Sequence, residues 1–176
     1  MLAEYKIQGE SPYTIRLLSG ANEAEVQDLC ERCSDFSELV EGRPPEKDAG
    51  HSVLFDMPPE KTMEDKFVFG VYNEKAVLIG VIDLIKDYKD VGEWIIGLML
   101  IDPGERKNGL GRKVHDFLKA LVSEKNGQKL RIAVVAENTN GFQFWSRMGY
   151  FEEERVRRTY GNKDHTVIVM NLLLNG

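Results

Sequence analysis

The residues best suited to chemistry lie in one stretch, Arg106-Lys107-Asn108-Gly109-Leu110-Gly111, which follows an apolar segment and opens a helical pattern. Glycines allow a turn to present several backbone N–H groups toward one point and allow a ligand to approach closely. The N-terminus of the following helix adds about half a positive charge, and four cationic side chains lie at positions 106, 107, 112 and 113. These features predict a site for a phosphate or pyrophosphate group.

The spacing of the glycines separates three kinds of anion site. A P-loop is excluded because Leu110 and Gly111 stand where its Lys and Ser/Thr are required, although Gly104 and Gly109 have the right separation. A dinucleotide fingerprint is excluded because Val114 takes the place of its third glycine. The pattern R/Q-x-x-G-x-G/A, used for pyrophosphate by acyl-CoA-dependent N-acyltransferases, is filled completely. A plain glycine-capped loop with solvated cations remains the alternative for this motif in isolation.

The composition favours one soluble domain over residues 1–176. The chain has 176 residues, 30% of them charged, and a formal net charge of -6, which argues against nucleic acid as a partner. No apolar run is long enough to span a bilayer and the N-terminus lacks a signal peptide's apolar stretch, so we expect a cytoplasmic protein with no membrane partner. Cys30 and Cys33 are interpreted as two reduced helix cysteines, with a redox pair or half a zinc site as alternatives. Because the three histidines show no matching spacing, we expect no metal.

Hydrophobic periodicity predicts the order β-α-βββ-α-β-α-ββ. Alternating or continuous apolar runs indicate strands at 13–18, 66–73, 76–86, 93–101 and 130–136, and a closing strand pair between 150 and 174. Helical patterns cover 22–41, the stretch from about 110 to 125, and 139–148. Hairpins followed by a β-α-β crossover predict an α/β (mixed α+β) fold, with a central mixed, mostly antiparallel sheet of six to seven strands and about four flanking helices.

Two spaced motifs in register resemble the GNAT N-acetyltransferase superfamily, over roughly residues 67–173. The first is a hydrophobic-x-Pro-x-x-R-x-x-G-x-G run after an apolar strand. The second is a strand ending in Asn, followed by a small residue, an aromatic residue and a Gly-aromatic pair. The residues in these places are Ile101, Pro103, Arg106, Gly109 and Gly111 in the first motif, and Asn138, Gly141, Trp145, Gly149 and Tyr150 in the second.

The resemblance implies how acetyl-CoA would bind as cosubstrate, without a metal. Strands 93–101 and 130–136 would lie parallel and splay apart in a V at their C-terminal ends. Pantetheine would enter the V against the backbone of Met99, Leu100 and Ile101, near Asn138, Gly141 and Trp145. The pyrophosphate would lie on the loop whose residues are Arg106, Lys107, Asn108, Gly109, Leu110, Gly111 and Arg112.

One departure from the family pattern concerns the acid that protonates the leaving thiolate. Many members carry a Tyr seven residues after the Asn, and this chain has Trp145 there. An indole N–H donates a hydrogen bond but has no usable acidity. Either the thiolate leaves without a tyrosine acid, or Tyr150 or Tyr160 reaches in. Simple packing is the alternative role for Trp145.

The other departure concerns the base that deprotonates the acceptor amine. Ile95 occupies the position where some members carry a Glu. Because strand residues 93, 95, 97 and 99 are expected on one face, Glu93 is one substitute. Asp83 is the other, expected across a hairpin from Ile95 with a pKa raised by burial; a register slip would put it on the wrong face. His115 is expected at the surface, and His165 is a weaker candidate for the acceptor side.

The function expected from this resemblance is transfer of an acetyl group from acetyl-CoA to a primary amine by direct attack in a ternary complex. The amide near Leu100 would polarise the thioester carbonyl. The alternative is a non-catalytic acyl-CoA-binding or regulatory module. Residues 22–66 are expected to form the variable acceptor side for a small-molecule amine or peptide, and their acids, such as Asp35 and Glu41, permit a cationic acceptor without requiring one. Assembly as a homodimer is left open.

Overall fold

The computed structural model describes residues 4–7 and 12–174, and this part folds into eight strands and five α-helices. The strands are β1 (Glu4–Lys6), β2 (Thr14–Leu17), β3 (Lys66–Tyr72), β4 (Leu78–Ile85), β5 (Glu93–Ile101), β6 (Lys129–Val135), β7 (Phe151–Tyr160) and β8 (Lys163–Leu173). The helices are α1 (Glu23–Arg32), α2 (Ser34–Glu41), α3 (Ala49–Phe55), α4 (Leu110–Glu124) and α5 (Thr139–Arg147).

All eight strands form one sheet in the order β1-β2-β3-β4-β5-β6-β8-β7. Only the β5–β6 pair is parallel, and every other neighbouring pair is antiparallel. The β-α-β crossover through α4 accounts for the parallel pair, because parallel neighbours need a long connection. The mixed, mostly antiparallel sheet predicted from the sequence is therefore confirmed.

Two details differ from the prediction. The sheet has eight strands instead of six to seven because the short β1, which is too brief for a periodicity signal, pairs with β2. A fifth helix, α3, begins at Ala49 within a segment that we expected to be a loop, and it ends at Phe55 before Pro58 and Pro59. The prolines lie after this helix because they favour extended or turn geometry there.

The sheet separates two hydrophobic cores. One face packs against α4, whose buried Leu110, Val114 and Leu118 recur at helical spacing. The other face packs against α1 and α3, which contribute Val26, Leu29 and Leu54. Among the described helices, none is long and apolar enough to cross a membrane.

Candidate active site

A gap opens between the parallel strands β5 and β6. They pair only at their first residues, Glu93 with Lys129, Trp94 with Leu130 and Ile95 with Arg131. Beyond these pairs the two strands diverge. As a result Gly97 and Ala133, although in the middle of central strands, are exposed. The V-shaped opening predicted from the resemblance is present.

A β-bulge at Gly97 shapes the β5 side of this gap. Asp83 of β4 lies opposite Leu98 and the next residue, Leu84, lies opposite Ile96, so Gly97 is the extra residue. A Cβ at this position would lie 3.1 Å from Asp83 Oδ2. Since a bulge shifts the alternation of side chains, the expectation that residues 93 to 99 keep one face is wrong.

Side chains after the bulge therefore divide between the two faces. Leu98 and Leu100 pack with the core under α1 and α3, whereas Met99 and Ile101 pack with the core under α4. The residues before the bulge follow the opposite parity, and Ile96 packs on the α4 side. The α1–α3 face of β5 therefore presents two leucines next to the open part of the gap.

The backbone groups that face the gap on the β5 side belong to Met99 and Ile101. Asp102 donates its N–H to Ile79 O on the β4 side (2.8 Å). In an antiparallel pair, residues bonded to the neighbour alternate with residues turned away from it. Leu100 is therefore bonded toward β4, and Met99 and Ile101 turn toward β6. The amide expected to polarise the thioester carbonyl, that of Leu100, faces away from the gap.

The same alternation identifies the β6 side of the gap. Ala136 donates to Thr166 O of β8 (2.8 Å), so Ala133 and Val135 turn their backbone groups away from β8 and toward the gap. Asn138 N–H occupies the Val135 carbonyl (2.9 Å). The gap is consequently lined on both sides by backbone groups that lack a strand partner.

The gap leads into the glycine-rich turn before α4. Lys107 and Gly109 both adopt left-handed backbone conformations, with φ of 67° and 86°, and Asn108 Oδ1 accepts the N–H of Leu110 (3.1 Å). A Cβ at Gly109 would meet no atom within 4 Å. Glycine is therefore needed at 109 for its conformation and for open space, as expected where a ligand approaches the backbone.

The start of α4 provides unoccupied amides. Within the part of the chain that the structure describes, the N–H groups of Gly111 and Arg112 have no hydrogen-bond acceptor, and Gly109 supplies no side-chain cap. Amides of a first helical turn point outward and carry the positive end of the dipole. Gly111 has a second role, because a Cβ there would lie 2.9 Å from Phe144 Cε1 of α5.

Arg106 does not point freely toward this anion site. Its Nε donates to Ile101 O (2.8 Å), and its two terminal nitrogens donate to Asp35 of α2 (2.6 and 3.3 Å). Hydrogen bonding to Arg106 holds the pKa of Asp35 below its usual range. The expectation that Arg106 supplies charge directly to the anion is therefore replaced by a structural link between the loop and α2.

Other N-terminal residues hold the same loop. Arg32 at the end of α1 pairs with Asp102 and donates to Leu78 O (2.7 Å). Tyr13 donates its hydroxyl proton to Glu105 Oε2 (3.0 Å). These contacts join residues 46 to 92 positions apart, and no local pattern in the sequence signals them.

Asn138 caps α5. Its Oδ1 accepts the N–H of Gly141 (2.9 Å), and a Cβ at Gly141 would lie 2.6 Å from Asn138 Nδ2. The small residue three positions after Asn138 is explained by this contact. Only the Nδ2 group of Asn138 is left to donate to a bound molecule.

Trp145 lies in an aromatic cluster between α4, α5 and the start of β7. Its ring makes edge contacts with His115, Phe144 and Tyr150, with centroid distances of 5.9, 4.9 and 5.2 Å. Burial raises the pKa of Tyr150, which makes its hydroxyl a poorer acid. Trp145 therefore packs against these three rings, as in the alternative role that the sequence left open for it.

His115 belongs to the same cluster and is not at the surface, as we had expected. It is 1% exposed, and its Nε2 lies 2.9 Å from the Tyr150 hydroxyl. Burial, with a smaller contribution from the Lys119 charge, lowers the pKa of His115 to about 4. The imidazole is therefore neutral at physiological pH.

Glu93 lies at the closed end of the gap. Its carboxylate is 7% exposed and lies 3.3 Å from Arg131 Nη1 and 3.9 Å from Lys129 Nζ. At about 3.3 Å per residue, Glu93 is roughly 23 Å along β5 from Leu100. This position argues against the role of catalytic base that the sequence suggested for Glu93.

Asp83 lies beside the open part of β5, on the α1–α3 face. It lies opposite Leu98 and not opposite Ile95. Ile85 is the residue that pairs with Ile95, so the hairpin is centred one residue later than we had expected, and the bulge moves the partner of Asp83 by one further residue. Its Oδ1 accepts from the buried Lys66 Nζ (2.8 Å), which also donates to Asp56 O. Burial raises the pKa of Asp83 against the opposing effect of Lys66.

A pocket of about 240 Å³ covers Leu98 and Leu100 on this face. Its walls come from α1, α2, α3 and the connection between α2 and α3, within the region 22–66. The tip of the β7–β8 hairpin contacts the C-terminal end of α2. His165 donates to Val40 O (2.7 Å), and Asn162 N–H donates to Glu41 O (2.8 Å). His165 thus lies near the pocket, with its ring nitrogen already engaged.

Known structures share this fold along nearly the whole chain. The ribosomal-protein-S5-alanine acetyltransferase from Vibrio fischeri superposes with a TM-score of 0.75 at 11% identity, over 98% of this chain and 97% of that chain. The spermidine N-acetyltransferase from Vibrio cholerae in complex with CoA and spermine gives 0.71 at 17% identity, over 94% and 97%. The ribosomal-protein-S18-alanine N-acetyltransferase from Escherichia coli gives 0.67 at 16% identity, over 93% and 95%.

The sequence itself carries the family assignment. No curated protein matches it. A model of the acetyltransferase (GNAT) family, however, matches residues 27–150, which include part of α1, all of α2 to α5, the gap and the glycine-rich turn. This match spans more than half of the chain. The protein therefore belongs to the GNAT acetyltransferase family.

Proposed function

We propose that this GNAT acetyltransferase transfers an acetyl group from acetyl-CoA to a primary amine by direct attack in a ternary complex. The observation that carries the proposal is a track made of two sets of backbone donors without a partner in the described part of the protein: Met99 and Ile101 in the gap, and Gly111 and Arg112 at the start of α4. Such a track fits an extended pantetheine arm followed by a pyrophosphate. The acceptor is a small-molecule amine or a peptide, and the setting is cytoplasmic.

Donor binding in this proposal relies mostly on backbone groups. The pyrophosphate lies on the amides from Lys107 to Arg112, and the side chains of Lys107, Arg112 and Lys113 supply positive charge around it. Pantetheine hydrogen-bonds to Met99 and Ile101, and Asn138 Nδ2 is available to its arm. No metal is needed, since helix dipole and amides provide the charge complement.

The transfer step forms a C–N bond and breaks the C–S bond of the thioester. Met99 N–H, the first amide after the bulge that turns into the gap, donates to the thioester carbonyl oxygen, where negative charge develops. After the neutral amine has attacked, the nitrogen passes one proton to the CoA thiolate. The earlier proton, whose loss converts the acceptor's ammonium into the attacking amine, is taken through a water by Asp83. Its raised pKa suits this role better than an ordinary aspartate would.

The CoA sulfur departs as a thiolate. A thiol has a pKa of about 8.5, so this departure near neutral pH needs no strong acid. The Trp145 indole is offered as a hydrogen-bond donor that orients the sulfur. The high pKa of Tyr150 argues against that residue as the acid.

Thermal unfolding with and without acetyl-CoA tests the donor site. At 100-fold its Kd, the ligand should add about 2.7 kcal/mol to the free energy of unfolding, and Gly109→Val, which places a side chain in the open space of the glycine-rich turn, should abolish the gain. An unchanged melting temperature in the wild type would contradict acetyl-CoA binding.

Release of free thiol in the presence of primary amines then separates an enzyme from a non-catalytic binding module. The family assignment favours the enzyme. Acetyl-CoA stabilisation without thiol release on alkylamines, polyamines, aminoglycosides or peptide N-termini would favour the binding module instead.

A further inference from the structure

The pocket above Leu98 and Leu100 adjoins the place where an acetyl group would lie. These two leucines flank Met99, whose amide turns into the gap between β5 and β6. Any acceptor that reaches the thioester from the α1–α3 face must pass over them. The chemistry of the pocket walls therefore selects the body of the acceptor.

The pocket is largely apolar. Nine of its fourteen lining residues are aliphatic, aromatic, proline or cysteine: Cys30, Cys33, Phe36, Val40, Pro45, Ala49, Val53, Leu98 and Leu100. Both cysteines are free thiols, and burial raises the pKa of Cys30 to about 11 and also raises that of Cys33. The thiols therefore remain uncharged near neutral pH and act as small hydrophobic groups.

The charged residues that line the pocket lie where α2 ends and in its connection to α3; they are Glu41, Glu46 and Asp48, here called the rim acids. Arg43 lies 3.5 Å from Glu41 and 3.2 Å from Glu46, so it partly neutralises two of the three rim acids, and Asp48 is the third. The hydroxyl of Ser37 donates to Arg43 O (2.8 Å). Asp35, an acid that the sequence offered to a cationic acceptor, is bound to Arg106.

An acceptor with several ammonium groups would have to place at least one of them against this apolar floor. Burial of a charge without a partner is strongly unfavourable. An acceptor with one amine and an apolar body instead buries that body against the floor and extends its amine toward the gap. The rim acids attract the amine on approach without holding it.

We propose that the acceptor is a primary monoamine with an alkyl or aryl body, and not a polyamine or an aminoglycoside. This inference rests on the proposed acetyltransferase function. It deepens that function by naming the substrate class from the pocket walls.

A homologous series of amines tests the inference. Thiol release is measured at saturating acetyl-CoA with propylamine, butylamine, pentylamine, hexylamine and 2-phenylethylamine, and with spermidine and kanamycin. Each additional buried methylene should raise kcat/KM about fourfold until the pocket is filled, and hexylamine and 2-phenylethylamine should exceed spermidine and kanamycin at least tenfold. A flat series, or a faster reaction with spermidine or kanamycin, would overturn the inference.

The melting temperature with acetyl-CoA, recorded on the same sample, distinguishes failure of the acceptor assignment from failure of the proposed acetyltransferase function. Stabilisation by acetyl-CoA with turnover of spermidine or kanamycin, but of no monoamine, overturns the acceptor assignment alone. Absence of stabilisation overturns the proposed function, and the acceptor assignment with it.

A matched pair of variants locates the selectivity in the pocket. Val53→Asp introduces a carboxylate into the pocket wall, and Val91→Asp makes the same change at a side chain that is 90% exposed and outside the pocket. Val53→Asp should lower kcat/KM for hexylamine at least tenfold and leave stabilisation by acetyl-CoA intact, whereas Val91→Asp should change neither. If Val53→Asp does not fold, Val53→Thr, with a lower expected loss of about threefold, replaces it. Equal effects of the variants at 53 and 91 would overturn the inference.

Discussion

Acidification should destabilise this fold through His115 of α4, whose imidazole is buried against Trp145 and Tyr150. Its pKa is about 4 in the folded protein against about 6.5 in an unfolded chain. Between these two values the unfolded state binds more protons, so the free energy of unfolding falls as the pH falls. From the two pKa values, the loss is about 1 kcal/mol at pH 5.5 and about 2 to 3 kcal/mol at pH 4.5, and negligible at pH 7.5.

Urea unfolding of the wild type and of His115→Gln, at pH 7.5, 6.5, 5.5 and 4.5, measures this contribution. The difference between the two proteins cancels the other titrating groups, and it should shift by about 2 to 3 kcal/mol in favour of the variant between pH 7.5 and 4.5. Tyr150→Phe serves as control: it removes the hydroxyl 2.9 Å from His115 Nε2 but keeps the imidazole buried, so it should retain the wild-type pH dependence. If the difference in the free energy of unfolding between the wild type and His115→Gln stays constant within about 0.5 kcal/mol over this pH range, the reasoning is refuted.

Three further predictions follow from the site. Gly111→Ala places a Cβ 2.9 Å from Phe144 Cε1 and should lower the free energy of unfolding in urea by about 1–3 kcal/mol. Adding Phe144→Leu should recover most of that loss. Gly109→Ala places its Cβ in open space, so adding Phe144→Leu to it should recover no stability. Lys66→Met leaves the buried Asp83 without its cation and should cost about 3–5 kcal/mol, whereas Lys66→Met with Asp83→Leu should restore most of that stability; a double variant as unstable as the single one would contradict the pairing. Glu93→Gln should lower the melting temperature through Arg131 and leave the pH profile of acetyl transfer unchanged. Loss of the acidic limb of that profile, where a general base loses its proton, would return Glu93 to the reaction.

The elements that position the donor site were predictable because their signals are local. The continuous apolar run of β5 predicts a strand buried on both faces, and Gly109 and Gly111 predict the turn that exposes the amides of α4. The capping contact of Asn138 with Gly141 is also local. Each of these features depends on residues within a few positions of one another, where propensity and spacing carry information.

The identity of the catalytic base depended on register, which the sequence did not determine. The turn before β5 is centred one residue later than expected and Gly97 adds one extra residue, so Asp83 lies opposite Leu98 and not opposite Ile95, and Met99 instead of Leu100 turns toward the gap. An isolated glycine within a strand pattern is a recognised signal of a bulge. Gly97 is such a glycine, and it is the feature of the sequence that indicates the change in register. The burial of His115 had no local signal, since it depends on Tyr150, 35 residues away.

In the function that we propose, the bulge at Gly97 also allows one strand to serve two ligands. In an unbroken strand, backbone groups and side chains keep one alternation along the whole length. The extra residue resets that alternation just where β5 leaves β6, so that Met99 and Ile101 offer amides to the gap while Leu98 and Leu100 form the pocket floor. In this arrangement the donor binds along the edge of the strand and the acceptor lies on its face, both at the same four residues. The links from Arg106 to Asp35 and from Arg32 to Asp102 fix the helices that cover the pocket to the loop that holds the donor, so that the distance between the two ligands is set by the fold and not by either ligand alone.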